Sequence, residues 1–238
     1  MIFYLIRHGD PIYEPDSLTE LGHKQAAALS KRLAVYGLDE IYASSSIRAQ
    51  MTAKPTCDLL GKEMKILDWA HEANTWEHTA LPKEDGSYTW SFYMPEMVEQ
   101  YNDPAMLALG REWYKHPCLA NTKMKDGLQF LDKEVDALLA SLGYEHNRTK
   151  GCYQIKEKNE KRVALFAHQG FGLAFLSSLL DIPYPMFCSR FDISHSGVTV
   201  IHFPNDRDVV YPKILQLSND SHLYKEDILT GYHNIFKV

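Results

Sequence analysis

Ile2-Phe3-Tyr4-Leu5-Ile6-Arg7-His8-Gly9-Asp10-Pro11 is the stretch whose reading decides the fold. Its apolar run, largely β-branched or aromatic, predicts a short strand buried on both faces that ends abruptly at Arg-His-Gly. Such a strand delivers a guanidinium and an imidazole to its carboxyl edge. Ligands of open α/β sheets bind at that edge, and Gly9 lets the backbone turn sharply or approach a ligand closely. An anion is the natural guest.

Working outward, Asp10 to Ser17 reads as a proline-containing loop. Ser17-Leu18-Thr19-Glu20 has capping-box spacing, so a helix is expected to begin there or at Thr19. Ala26, Leu29, Leu33 and Tyr36 give it one apolar face, with Gly37 where a C-terminal cap belongs. Asp39 to Ala43 predicts a second strand, followed by serines and by Arg48 near the start of a helix that Pro55 should kink. A third strand is expected around Met64 to Leu67. Helical periodicity then lapses until Asp126, where Leu128, Leu131, Val135, Leu138, Leu139 and Leu142 fall on one face and Gly143 ends the pattern. Residues 145–162 are polar and carry charges of both signs, which reads as a solvated loop. Val163 to Ala167 is a buried strand ending at His168-Gln169-Gly170 and a helix, repeating the logic of residues 2–9. Val198 to Phe203 and Pro212 to Leu217 close the pattern as strands.

The chain has 238 residues, 45% of them hydrophobic, enough for one large α/β domain. We expect a single domain over 1–238: a three-layer α/β/α sandwich with a mostly parallel central sheet. Residues 68–125 contain Trp69, Trp76, Tyr88, Trp90, Phe92, Tyr93, Tyr101, Trp113 and Tyr114, too aromatic for a plain connection. A cap inserted at about 79–125 is expected, with short helices near Glu96 to Tyr101 and Pro104 to Tyr114. Its exposed aromatics, such as Trp90 and Tyr93, would set substrate choice. The formal net charge of −6 argues against nucleic-acid and anionic-membrane partners. The N-terminal apolar run is too short for a signal or spanning segment, and the four scattered cysteines form no C-x-x-C pair, so a cytoplasmic protein is expected.

The ordered blocks Arg7-His8-Gly9, Ser45-Ser46-Ile47-Arg48-Ala49-Gln50-Met51-Thr52-Ala53 and Phe166-Ala167-His168-Gln169-Gly170 resemble the histidine phosphatase superfamily, the phosphoglycerate mutase-like enzymes. The match is specific over residues 2–61 and 163–181. The resemblance implies covalent catalysis by His8 and a phosphate pocket of Arg7, Arg48 and His168, with Gln169 placed beside it in substrate binding. No metal or cofactor is implied. The chemistry agrees: guanidinium forks match phosphate oxygens, and a neutral imidazole can attack phosphorus in line.

A carboxylic acid must also protonate the leaving oxygen. In the family this acid lies a little after the third strand, where Asp68, Glu72 and Glu77 are candidates. Glu72 is preferred because its distance from Arg48 resembles the family spacing and Trp69 and Trp76 offer apolar walls, although the frequent Gly-x-Trp-Glu-Gly pattern is absent. The expected activity is a metal-independent phosphomonoesterase acting through phosphohistidine on a small phosphorylated metabolite or side chain. A phosphoglycerate mutase is one alternative, disfavoured because Asp10-Pro11-Ile12-Tyr13-Glu14 replaces the Glu-x-x-Trp-Asn that usually follows Arg-His-Gly in mutases. A catalytically inactive binding protein is the other. The histidines outside this set, including His195 and His233, lack the spacing of metal ligands.

Overall fold

The computed structural model describes residues 1–232, so His233 lies outside the described residues. The predicted N-terminal strand is β1 (Ile2–Arg7), and the sheet continues through β2 (Glu40–Ser44), β3 (Met64–Leu67), β4 (Arg162–Ala167), β5 (Val198–His202) and β6 (Lys213–Asn219). In space the order is β6-β5-β1-β4-β2-β3. The β1, β4, β2 and β3 strands are mutually parallel, whereas β5 runs antiparallel to β1 and β6 antiparallel to β5.

Strand alternation divides the core in two. Phe3 and Leu5 of β1, Tyr42 of β2 and Val163, Leu165 and Ala167 of β4 point to one face. There they meet helices α4 (Met124–Ser141) and α5 (Gln169–Leu180) through Val135, Leu138, Phe171 and Phe175. Ile6, Ile41, Ala43, Ala164 and Phe166 point the other way, onto α1 (Glu20–Ala34) and α2 (Ile47–Leu60) through Leu29, Leu33, Ala53 and Cys57. The expected three layers follow directly. The α5 helix is buried nearly all round, as an element held between the sheet and other helices must be.

Local expectations fared unevenly. Thr19 is the cap of α1, its hydroxyl accepting the Gly22 N–H at 3.0 Å, so Ser17 plays no capping part. The helix stops at Ala34, short of Gly37. The α2 helix includes Pro55 within one continuous span, Ile47–Leu60. The polar stretch read as a solvated loop instead contains two antiparallel strands, Tyr144–Asn147 and Cys152–Ile155, with Val209–Val210 pairing to the second. Tyr144, Cys152, Tyr153 and Ile155 are buried there, an apolar alternation that the surrounding charges obscured.

After β3, helix α3 (Glu72–Thr79) leads into a short hairpin, Ala80–Pro82 with Tyr88–Trp90. The helices Pro95–Tyr101 and Pro104–Ala108 and the 3-10 turns Gly110–Lys115 and Pro117–Leu119 then return the chain to α4. Many of the aromatics in this stretch pack inward: Phe92, Tyr101 and Trp113 belong to the same core as Phe171 and Phe175. Among the described residues, no helix is long and apolar enough to cross a membrane.

Candidate active site

Parallel pairing of β1 with β4 sets Arg7 beside Ala167, so the residues that follow, His8 and His168, leave the sheet at the same edge. The His8 N–H donates to the Ala167 carbonyl at 2.9 Å, extending the pairing by one residue. The imidazole Nδ1 lies 2.7 Å from the Gly9 carbonyl oxygen. A carbonyl can only accept, so Nδ1 carries the proton and Nε2 is left as a bare lone pair. Gly9 is required by close approach: a Cβ there would sit 2.8 Å from the Gly22 carbonyl oxygen of α1.

Arg7 and Arg48 are both buried. The Arg7 guanidinium donates through Nη1 to the Ile193 carbonyl at 2.6 Å, and Nη2 lies 2.8 Å from His195 Nε2. Arg48 projects from the first turn of α2 and donates through Nη1 to Asp16 Oδ1 at 2.8 Å. The other oxygen of Asp16 accepts from Ser46 Oγ at 2.8 Å and the Ile47 N–H at 2.7 Å. Partial burial alone would raise the Asp16 carboxyl, but the hydrogen bonds from Arg48 and Ser46 hold it below the usual carboxylate range. The Nε atoms of both arginines and Nδ1 of His168 are buried with no hydrogen-bond partner, three unsatisfied nitrogens in one region. Buried donors without partners are costly unless a ligand meets them.

His168 receives its own support from the sheet, with Nε2 2.8 Å from Ser44 Oγ at the end of β2. Its ring is edge-on to that of His8, the centroids 5.2 Å apart. Burial, and after it the Arg48 charge, pushes the His168 imidazole well below the ordinary histidine range. The His8 ring is lowered likewise, first by burial and then by His168, Arg7 and Arg48. Both rings are therefore neutral near pH 7.

Of the three acidic candidates, Glu72 reaches this edge. It opens α3 and its side chain is only 15% exposed. Oε1 accepts from the Gly170 N–H at 2.8 Å, and Oε2 lies 3.5 Å from both Arg48 Nη2 and His168 Nδ1. Burial raises its pKa, an effect only partly opposed by Arg48 and Arg7. Asp68 is exposed, and Glu77 is exposed and paired with Lys123 at 3.1 Å. Atoms of His8, Glu72 and His168 lie within 4.8 Å of one another, which is also a spacing a metal ion can use. The two guanidiniums bearing on the same groups make the spot hospitable to an anion and hostile to a second cation.

Gln169 is buried, and its amide donates to Tyr93 Oη at 2.7 Å and, in a close contact, to Asp192 Oδ1. Tyr93 is exposed as expected, but Trp90 is not: its ring packs edge-on to Trp76 at 4.7 Å and stacks with Phe92 at 5.5 Å. A Cβ on Gly170 would collide with the Trp90 ring, so the hairpin sits directly on the start of α5.

Sequence reading missed Asp16, Ser44, Asp192 and His195. Ser44 lay in a serine run recognised only as a strand end. His195 lies three residues before the start of β5, and because β5 is antiparallel to β1, the beginning of that strand shares an edge with the end of β1. Nothing local in the sequence reveals that reversal. His195 Nδ1 also lies 3.4 Å from Asp10, which ties the loop after β1 to the loop before β5.

The profile of the histidine phosphatase superfamily (branch 1) matches residues 3–104 of this chain. A protein provisionally named phosphoserine phosphatase 2, from Hydrogenobacter thermophilus, is 22% identical over 216 residues, covering 87% of this chain and 92% of its own. Among solved structures, a mutant phosphoserine phosphatase from Entamoeba histolytica in complex with phosphoserine superposes with a TM-score of 0.58 at 18% identity, covering 93% of this chain and 98% of its own. A mycobacterial glucosyl-3-phosphoglycerate phosphatase gives a TM-score of 0.58 at 18% identity, with 91% and 98% covered. These structures share the fold, and the segment matched by the family profile spans the positions of Arg7, His8, Arg48 and Glu72. In that segment the chain is similar to the histidine phosphatase superfamily, and over its length it shares the fold of these phosphatases.

Proposed function

We propose that this phosphatase hydrolyses a small phosphomonoester in two displacements through a phosphohistidine at His8, without a metal ion. The observation that carries the proposal is the His8 ring itself: Nδ1 is committed to the Gly9 carbonyl, and the free Nε2 belongs to an imidazole kept neutral by burial and by neighbouring cations. Arg7 and Arg48 neutralise the equatorial phosphoryl oxygens, aided by the unpartnered nitrogen of His168. In the first step His8 Nε2 forms a bond to phosphorus while the ester P–O bond breaks. The Glu72 carboxyl, its pKa raised by burial, gives its proton to the departing oxygen. Water then attacks phosphorus, loses a proton to the Glu72 carboxylate, and the P–N bond breaks to release inorganic phosphate and neutral His8. The arginines supply the positive charge for which other phosphatases use metal ions.

Rapid quenching with labelled aryl phosphate tests the reading. The expected product is an acid-labile, base-stable phosphoenzyme that His8→Ala abolishes together with turnover, in buffer containing a chelator. Near-normal turnover in His8→Ala, or activity lost in chelator and restored by magnesium or zinc, would overturn it.

A further inference from the structure

Beside the phosphate pocket stands a carboxylate that the proposed chemistry does not use. Asp192 Oδ1 accepts from the Ile193 N–H at 2.7 Å and from Gln169, leaving Oδ2 without a hydrogen bond from any described residue. No lysine, arginine or histidine of the described residues pairs with Asp192. Yet it is placed at the site by three links. Gln169 follows His168, the carbonyl of Ile193 holds Arg7, and the Asp192 charge bears on both Arg7 and Tyr93.

Most cations near the rim are engaged elsewhere, and Arg190, two residues before Asp192, donates to Asn102 Oδ1 in a close contact. Of those in or near the 80–125 stretch, Lys83 meets Asp85 at 3.9 Å, Lys123 meets Glu77, Lys115 pairs with Glu112, and Arg111 lies 3.9 Å from Asp181. Lys125 lies over the Tyr114 ring. Arg7 and Arg48 are the full charges bearing on His8 and Glu72, and Arg48 already shares its charge with Asp16. Once a phosphoryl dianion is bound, the rim holds surplus negative charge at Asp192 and Asp10.

We propose that Asp192 is a specificity-determining residue that receives an ammonium group of the substrate, so that the enzyme prefers aminoalkyl phosphates and disfavours phosphomonoesters bearing a carboxylate. This rests on the phosphatase reading above. The ammonium donates to the open oxygen of Asp192, beside Tyr93, on which the Asp192 charge bears. A carboxylate in that position meets the like charge of Asp192.

The test compares kcat/KM for 2-aminoethyl phosphate, its amine-free isostere propyl phosphate, and phosphoglycolate, with an aryl phosphate as the check on phosphatase activity. A charge-assisted contact predicts a preference for the amine over propyl phosphate of about tenfold or more, with phosphoglycolate poorest. Asp192→Asn keeps an acceptor for Ile193 and Gln169 but removes the charge, and should bring the amine-to-propyl ratio close to one. Wild-type enzyme that hydrolyses the aryl phosphate but shows no amine preference, or favours phosphoglycolate, overturns the inference while leaving the phosphatase reading intact; so does an unchanged ratio in folded Asp192→Asn. Failure on every phosphate, aryl included, overturns the phosphatase reading instead. The wild-type ratios decide the matter even if the variant does not fold.

Discussion

Oε1 of Glu72 accepts the backbone N–H of Gly170 at 2.8 Å, fastening the first residue of α3 to the first turn of α5 directly after His168. This contact orients the carboxyl so that its second oxygen faces Arg48 and His168. A carboxyl held in one rotamer by an amide, its pKa raised by burial, is suited to delivering a proton along a fixed direction.

Glu72→Gln should therefore lower kcat for alkyl phosphates by about 10²- to 10⁴-fold, the usual worth of a positioned general acid. Aryl phosphates with a strongly acidic phenol should lose far less in the first step, since their leaving group needs no proton. Steady-state rates across a leaving-group series measure this as a steeper dependence on leaving-group pKa in the variant. In the wild type, the rate should fall as pH rises through the raised Glu72 pKa, and that alkaline limb should vanish in the variant.

Asp16 predicts a different signature. It grips Arg48, Ser46 and the Ile47 amide together, so it positions the guanidinium without approaching the reacting atoms. Asp16→Ala should free Arg48 and weaken phosphate capture, raising the inhibition constant for inorganic phosphate by about tenfold, the cost of one charge-assisted hydrogen bond. Product-inhibition kinetics give that constant directly.

Stability should fall on the acid side because of a histidine remote from the reaction. His222 is buried between Arg32, whose Nη1 lies 3.3 Å from Nδ1, and Ser196, 3.0 Å from Nε2. Burial, and then Arg32, lowers its pKa to about 4. The unfolded chain takes up this proton near pH 6.5 while the folded chain resists it, so folded-state stability drops as pH falls from about 6.5 towards 4, by roughly 3 kcal/mol for this residue. His8 and His168 shift in the same direction and add to the slope. Denaturant melts of His222→Gln against pH should show a shallower acid loss than the wild type.

Trp90 and Tyr93 should separate by readout. Trp90 packs against Trp76, Phe92 and the backbone at Gly170, so Trp90→Ala should cost about 2–4 kcal/mol of stability and depress turnover on all substrates together. Tyr93 is exposed and tied to Gln169, so Tyr93→Ala should instead reorder substrates by about tenfold with a smaller change in melting temperature. Thermal denaturation alongside a substrate panel distinguishes the two.

What the sequence by itself determined was the part of the molecule written in local patterns. Apolar runs ending in Arg7-His8-Gly9 and His168-Gln169-Gly170 specify buried strands with chemistry at their ends, because a strand's last side chains must lie at the edge of its sheet. Arg48 follows the same rule at a helix start, while Glu72 is preferred among its acidic neighbours through the resemblance to the family spacing. Tertiary structure alone decided which oxygen of Glu72 faces His168, that Asp16 holds Arg48 across 32 positions, and that Asp192 stands beside Gln169. It also decided that β5 runs against β1, which brings His195 to Arg7. Strand direction leaves no mark on hydrophobic periodicity, and contacts between loops distant in sequence arise only once the sheet has set their ends side by side.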